Sequence, residues 1–390
     1  MSGVRAPTGD RRRGVAILGS TGSIGTSALQ VLGRQPDAFR VAALTAHGNA
    51  ALLREQAARF APTFVGCVAP NGSACDPAWA TGPAALIAAA TRPDADIVLN
   101  AVVGAAGLDA TLAALGAGKR VALANKESLV VGGGLVLEAA RRGGGELVPV
   151  DSEHSAILQC LAGRPGHEVR RLILTASGGP FRAWPAERIA DARLEDALKH
   201  PTWTMGRKIT VDSATLANKA LEVIEAHVLF GLPYDRIEVV VHPQSIIHSM
   251  VEFVDGSVLA QLGQPTMEVP ILYAFTHPDR IPDAGLPPFD PVRTGALTFE
   301  AVRHDAFPTL GLGIAAGRQG GGAPAVFNAA NEEAVARFLD GTLRFGEIPK
   351  AIGSALDALG GTPAADRAAL GALDAAARAH ARNWRPAVLV

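Results

Sequence analysis

Residues 15–32 read VAILGSTGSIGTSALQVL. The apolar run Val15 to Leu18 leads into glycines at 19, 22 and 25, and an apolar-periodic stretch continues through Leu32. Strand, turn and helix therefore follow one another directly. The spacing G-x-x-G-x-x-G is a relative of the dinucleotide fingerprint G-x-G-x-x-G rather than a copy of it. Glycines let the backbone approach a pyrophosphate, and the N–H groups of a helix start, with the hydroxyls of Ser20, Thr21 and Ser23, would hold it. A plain βα turn that needs glycine only for tight packing is the competing reading, and the surrounding chain decides between them.

On either side of the turn, apolar β-branched runs alternate with Ala/Leu-rich stretches: GVAIL, RVAALTA, TFVGCV, ADIVLNAVV, RVALAN and ELVPV. Continuous apolar strands separated by helices are covered on both faces, which predicts an α/β fold with a doubly wound parallel sheet over residues 1–150 as a dinucleotide-binding domain. The second strand ends in LTAHGNAALL, without the acidic residue that grips a free ribose 2′-hydroxyl. His47, Gly48 and Asn49 offer non-anionic contacts instead, with Arg54 further on, and this favours a 2′-phosphate and hence NADPH.

From residue 151 the texture changes. LILTASGGPF and IEVVVHPQSIIHSMVEFVDGSVLAQLG have strands joined by short turns, and 213–230 reads as one long helix. This predicts an α+β catalytic domain over 151–276 that binds metal and substrate. HPDRIPDAGLPPFDPVRTG at 277–295 is dense in proline, so 277–305 is expected to be an extended connector. The rest, 306–390, carries helical periodicity with little strand signal and is expected to be an all-helical C-terminal domain.

Composition narrows the function. The chain has 390 residues, too many for one core, and a formal net charge of −1 with basic residues dispersed along it. There is no electrostatic footprint for nucleic acid or an anionic membrane, so small molecules are the expected partners. Cys67, Cys75 and Cys160 lack metal-ligand spacing and make no disulfide framework, which excludes zinc and points to a reducing compartment. No window reaches the length of a membrane span, and the apolar run behind Arg11 to Arg13 is too short for a signal peptide; a basic tail is the expected reading, with a short transit peptide as its alternative. The expectation is a soluble, cytoplasmic protein.

The chemistry is concentrated in two stretches. PVDSEHSAI at 149–157 sets Asp151 and Glu153 one residue apart behind an apolar run; in an extended chain both would point to one side and repel. On a helix over 213–230, Asn218, Lys219 and Glu222 share a face, with Ser213 near its start. Lys219 and Glu222 could equally be an ordinary surface pair. Three carboxylates without His or Cys at ligand spacing suit a hard divalent cation, magnesium or manganese, and Asp151, Glu153 and Glu222 would relieve their repulsion by sharing it. Ser213, Asn218 and Lys219, with Ser177 from TASGGP, form a receptor for phosphate. Together these imply a phosphorylated polyol or keto-sugar with a metal at its oxygen-bearing end and a hydride donor nearby.

GSTGSIG, ANKESLV, VDSEHSAI, ASGGPFR, HPTWTMGRKITVDSATLANKALEVIEA and HPQSIIHSMVEF, in that order and followed by NAANEEAVARFL, resemble the 1-deoxy-D-xylulose 5-phosphate reductoisomerase family over nearly the whole chain. The resemblance implies a homodimeric, NADPH-dependent enzyme of non-mevalonate isoprenoid precursor synthesis. It would convert 1-deoxy-D-xylulose 5-phosphate to 2-C-methyl-D-erythritol 4-phosphate by rearrangement and hydride reduction. It also implies cofactor contacts at Thr21, Gly22, Ser23, Ile24, Gly48, Asn49, Asn125, Glu127 and Gly206, and metal ligands at Asp151, Glu153 and Glu222. Substrate contacts are implied at Lys126, Ser152, Glu153, His200 and Glu222, with phosphate at Ser177, Ser213, Asn218 and Lys219. Lys126, Asp151, Glu153 and Glu222 would be catalytic, and HPTWTMGRK a lid that brings Trp203 over the substrate. His154 and His248 are either supports of the site or satisfied core histidines.

Two rivals stand beside this reading. An NADP-dependent sugar-phosphate dehydrogenase without rearrangement would need no three-carboxylate site. A silent relative that only binds NADPH would be expected to have lost one of Asp151, Glu153, Glu222 or Lys126, and all are present.

Overall fold

A computed structural model of the chain describes residues 12–69, 75–203 and 205–386. The basic tail up to Arg11 and Thr204 of HPTWTMGRK lie outside the described residues. The apolar runs of the first half form β1 (Arg13–Leu18), β2 (Phe39–Ala46), β3 (Phe64–Cys67), β5 (Ile97–Asn100), β6 (Arg120–Leu123) and β7 (Glu146–Pro149), with the two-residue edge strand β4 (Ala80–Thr81) in addition. Their order is β4-β3-β2-β1-β5-β6-β7, and every pairing is parallel. Val15, Ile17 and Leu18 on the central strand are wholly buried, each stabilising the fold by about 1.5–3 kcal/mol relative to exposure. The order reverses across β1 and β5, so the crevice at a doubly wound sheet's switch point opens at the C-terminal ends of those strands.

At that switch point lies the glycine turn. Gly19 has φ +86, and a Cβ there would sit 2.7 Å from the Ala101 carbonyl oxygen, so the end of β1 can hug the loop after β5 only as glycine. The helix Ser23–Arg34 starts after Gly22 without a side-chain cap, which leaves its first N–H groups open toward the crevice. Ser20 departs from expectation. Its hydroxyl donates inward to Gln56 Oε1 at 2.7 Å and Gln56 Nε2 returns a bond to the Ser20 carbonyl at 2.9 Å, so this side chain braces the turn and is turned away from any phosphate.

The second sheet runs β11-β10-β8-β9-β12, comprising β8 (Val169–Ala176), β9 (Ile237–Val241), β10 (Ile247–Phe253), β11 (Val258–Leu262) and β12 (Glu300–Ala301). It is mixed, since β8 pairs parallel with β9 and antiparallel with β10. The proline-rich segment is not merely extended: it includes the short helix Pro291–Thr294, and β12 adds antiparallel to β9 as an edge strand. The expected single helix over 213–230 is two helices, Arg207–Thr215 and Ala217–Phe230, separated by Leu216 in the left-handed region at φ 59. After residue 307 come the helices Pro308–Gln319, Ala323–Leu339, Ile348–Leu359 and Arg367–Asn383. Their apolar faces share one core with Phe181, Ala214, Leu221 and Ile224, so the C-terminal helices and the helix Ala217–Phe230 are packed as one body. Among the described residues no helix is long and apolar enough to cross a membrane.

The close packing of the turn gives a test. A Cβ on Gly25 would lie 2.4 Å from the Gly19 oxygen and 2.5 Å from Ser20 Cα, both backbone atoms that cannot yield without opening the turn. Gly25→Ala is expected to destabilise the chain by about 1–3 kcal/mol, read as a lowered denaturant midpoint. A midpoint equal to wild type would contradict this account of the turn.

Candidate active site

A cavity of about 430 Å³ runs from Ser23 and Ile24 at the glycine turn to a cluster of charged side chains carried by three separate elements. Asp151 is the N-cap residue of the helix Ser152–Leu161 and Glu153 lies in its first turn. The two carboxylates therefore converge at a helix start, not along an extended strand, and the positive end of the helix favours them there. Asp151 makes no capping bond with its side chain. It forms an ion pair with Lys126 Nζ instead. Glu222 comes from the helix Ala217–Phe230 and is 1% exposed. Oxygen atoms of Asp151, Glu153 and Glu222 all lie within 4.8 Å of one another.

Two buried lysines interleave the carboxylates. Lys126 Nζ donates to Asn218 Oδ1 at 2.8 Å and to Glu222 Oε1 at 3.3 Å, while Lys219 Nζ donates to Glu153 Oε1 at 2.7 Å and also meets Glu222 Oε2. Burial pulls the pKa of both lysines down, but Asp151 and Glu222 around Lys126, and Glu153 and Glu222 around Lys219, outweigh it and hold both as ammonium ions. Burial likewise pushes Asp151 up, yet Lys126, His154 and Lys219 hold its carboxyl below the usual range. Glu222 goes the other way. Burial and the neighbouring Glu153 raise it to about 7. Once Glu222 gives up its proton, three carboxylates against two ammonium ions leave negative charge in excess, and the donor set is hard oxygen only, so the cup fits a divalent cation of the magnesium or manganese kind.

Beside the cup is a polar receptor. Gly178 and Gly179 have φ +84 and +64, and a Cβ on Gly179 would sit 2.7 Å from the Ser213 carbonyl oxygen. This tight turn sets Ser177 against the end of the helix Arg207–Thr215. The left-handed Leu216 then reverses the chain so that Ser213, on one helix end, faces Asn218 and Lys219 on the next helix start, and all four side chains line the cavity. His200 completes this side. Its Nδ1 accepts the Thr202 and Trp203 N–H groups at 3.1 and 2.9 Å, so the ring hydrogen is on Nε2, 3.0 Å from Ser177 Oγ. Burial lowers His200 to about 4, which keeps the ring neutral at physiological pH. Ser152, Trp203, Ser245 and His248 also line the cavity, with the Trp203 ring 6.5 Å from that of His248. Burial lowers His248 as well.

The remaining expected cofactor contacts lie outside that cavity's lining, along the C-terminal edge of the first sheet except for Gly206, which precedes the helix Arg207–Thr215. Thr21 and Gly22 are in the glycine turn, and Gly48 and Asn49 follow β2, where Asn49 Oδ1 accepts the Leu52 N–H at 3.2 Å as a helix cap. Asn125 is buried and donates to the carbonyls of Val102 and Gly104 at 2.7 and 2.8 Å, which shapes the loop after β5. Glu127 Oε1 is 3.4 Å from Lys208 Nζ, and Lys208 also pairs with Asp212 at 2.7 Å. Asp212 accepts from Asn331 at 2.9 Å, so Glu127, the helix that begins after Gly206 and the C-terminal helices are tied in one network. Sequence reasoning missed Asp212, Asn331, Ser245 and Glu225. Glu225 left a readable signal: a carboxylate inside the apolar run ALEVIEAHVLF, three residues after Glu222 on the same helical face.

Family models described as 1-deoxy-D-xylulose 5-phosphate reductoisomerase match residues 15–133, as its C-terminal domain residues 147–230, and as the DXP reductoisomerase C-terminal domain residues 262–380. Curated proteins of that name are close relatives. The one from Synechococcus sp. (strain JA-2-3B'a(2-13)) is 53% identical over 346 residues, 86% of this chain and 88% of its own length. The one from Nocardia farcinica is 53% identical over 345 residues, 88% of this chain and 87% of its own. The chain belongs to the 1-deoxy-D-xylulose 5-phosphate reductoisomerase family. The reductoisomerase from Zymomonas mobilis, solved with NADPH, superposes with a TM-score of 0.87 at 43% identity over 95% of this chain and 98% of that one. A second, solved with NADPH, fosmidomycin and magnesium, has a TM-score of 0.89 at 39% identity over 95% and 97%. The α/β architecture of the chain is thus that of the reductoisomerases.

The raised Glu222 makes cation binding pH-dependent. Below about 7 the buried carboxyl carries a proton that a cation must displace; above it the ligand is free. Mn²⁺ affinity is expected to rise about tenfold from pH 6 to pH 8 and then level off. Calorimetric titration at the two values checks this, and an affinity that falls with rising pH would refute it.

Proposed function

We propose that the cavity is the active site of an NADPH- and metal-dependent reductoisomerase that turns 1-deoxy-D-xylulose 5-phosphate into 2-C-methyl-D-erythritol 4-phosphate. The observation that carries this reading is the meeting, in one cavity, of the three-carboxylate cup, the Ser177/Ser213/Asn218/Lys219 receptor and the glycine turn. A sugar phosphate fits with its phosphate on the receptor, at the start of the helix Ala217–Phe230, and its oxygens over Asp151, Glu153 and Glu222. When bound, the divalent cation supplies Lewis-acid charge to the substrate oxygens and NADPH supplies the hydride. A dehydrogenase without rearrangement has no use for such a cup and is not favoured.

The chain's own residues do the rest. Lys126, held as an ammonium ion between Asp151, Asn218 and Glu222, brings positive charge and a transferable proton to the carbon-bearing oxygens. Neutral His200 offers its Nε2 hydrogen to the Ser177 side of the substrate, and Ser152 sits beside Glu153 at the cup's rim. Trp203, opposite His248, is placed to cover the substrate and exclude water while the aldehyde awaits reduction. Thr21, Gly22, Ser23, Ile24, Gly48, Asn49, Asn125, Glu127 and Gly206 are proposed as the cofactor contacts.

Manganese and magnesium are both proposed as working cations, and the cytoplasm as the site of action. A homodimer is proposed as well, with β11 as the contact. This edge strand exposes Val258, Leu259 and Leu262, an apolar edge that an isolated chain would be expected to protect. Leu259→Lys is expected to shift the mass measured by light scattering from dimer to monomer; a monomeric wild type would overturn the dimer proposal.

Optical assay of NADPH oxidation with 1-deoxy-D-xylulose 5-phosphate tests the function itself. Oxidation that needs Mg²⁺ or Mn²⁺ and stops on chelation is expected, with the branched methylerythritol phosphate as product. Glu222→Gln is expected to abolish turnover and to leave NADPH binding within about threefold, because the glycine turn is untouched and distant sites act independently. Metal-independent oxidation would move the weight to a dehydrogenase.

A further inference from the structure

Glu225 is fully buried and neither of its side-chain oxygens has a hydrogen-bond partner that satisfies ordinary geometry. A buried carboxylate so placed is costly and needs a reason. It faces His154, which is also fully buried, with Glu225 Oε2 3.3 Å from His154 Nδ1. The other ring nitrogen, Nε2, lies 2.9 Å from the main-chain oxygen of Glu222 and must donate to it, since a carbonyl can only accept. Asp151 Oδ2 is 3.8 Å from Nδ1, and the Phe230 ring lies parallel to the imidazole at 6.4 Å. His154 thus bonds the main chain at Glu222 through one edge and turns the other toward Glu225 and Asp151, between the helix that follows Asp151 and the helix that carries Glu222.

We propose that Glu225 is a positioning residue for the metal cup: by orienting His154 it fixes the separation between Asp151 and the main chain at Glu222. The arrangement is that of a carboxylate and histidine behind metal ligands, where the outer pair sets the geometry of the inner one. The inference rests on the assignment of Asp151, Glu153 and Glu222 as metal ligands. The nearest alternative is a second cation held by Asp151, His154 and Glu225, whose donor atoms also lie within 4.8 Å of one another. Lys126 already pairs with Asp151 on that side, so positioning is the reading the charges favour.

Calorimetric titration of the metal-free full chain with Mn²⁺ separates these cases. The expected result is one Mn²⁺ per wild-type chain, with affinity reduced about 10- to 100-fold in Glu225→Ala. Glu225→Gln should stay within about threefold of wild type, because a side chain of the same shape with a polar head still faces Nδ1. Melting temperatures of the metal-free variants should remain near wild type. Should Glu225→Ala fail to fold, His154→Phe, which keeps the stack on Phe230 and removes both ring nitrogens, is expected to lose affinity to the same extent. Wild-type affinity in a folded Glu225→Ala or His154→Phe overturns the proposal alone. So does a loss in Glu225→Gln as large as that in Glu222→Gln, or a stoichiometry of two. A wild-type chain that binds no Mn²⁺ overturns the metal assignment, and the proposal falls with it.

Discussion

Repulsion among carboxylates is the constraint around which this molecule is arranged. Asp151, Glu153 and Glu222 are brought within a few ångströms by two helices that begin in different parts of the chain, and nothing in local propensity would put them together. Lys126 and Lys219 make the cluster tolerable by lying between the acids, and the acids in turn keep both lysines charged despite burial. Breaking such a network at one member leaves an uncompensated charge in a dry place, so its members are linked more tightly than any pair of contacts suggests. The residual negative charge defines what the cup can accept, and the absence of sulfur or imidazole within it defines which class of cation.

The parallel sheet solves a second problem, that of distance. Lys126 follows β6 and Asp151 follows β7, so the same sheet edge that ends β1 in the glycine turn also delivers two members of the cluster. A cofactor stretched along that edge and a substrate in the cup are neighbours by topology. The second sheet and the helix pair broken at Leu216 then close the cavity from the other side, the former through Ser177 after β8 and the latter, backed by the C-terminal helices, through Ser213, Asn218 and Lys219.

Much of this was legible in the sequence, and the exceptions have physical causes. The strands of the first sheet were readable because both faces are covered, which leaves continuous apolar runs with glycine punctuation. Asp151, Glu153, Glu222, Lys219, Asn218, Ser177 and Ser213 were readable because their residue types suit hard-cation and phosphate chemistry, whereas Lys126, Ser152 and His200 were reached only through the family resemblance. What escaped was conformation at single residues. Leu216 takes a left-handed backbone, and leucine gives no warning of that, so two helices read as one. Asp151 and Glu153 read as parts of a strand because the apolar run before them continues to Val150, whereas the helix begins at once after Asp151. Ser20 turned inward because Gln56, far off in sequence, had a buried amide to satisfy. β12 escaped because two residues carry no periodicity, and only pairing with β9 makes them a strand.

The shared core of the C-terminal helices has a bearing on how the protein is made. Residues 13–149 hold every strand of the first sheet, so its pairings can form as soon as they have left the ribosome, while one of its faces waits for Ile271, Leu272 and Phe275 to cover it. The helix with Asn218, Lys219, Glu222 and Glu225 cannot settle so early, since its apolar side is covered by Leu310, Phe327 and other residues synthesised much later. The nascent chain therefore pairs the strands of its first sheet first and completes its charged cup last. Four acidic and two basic side chains stay in water until the apolar cover that will enclose them is available.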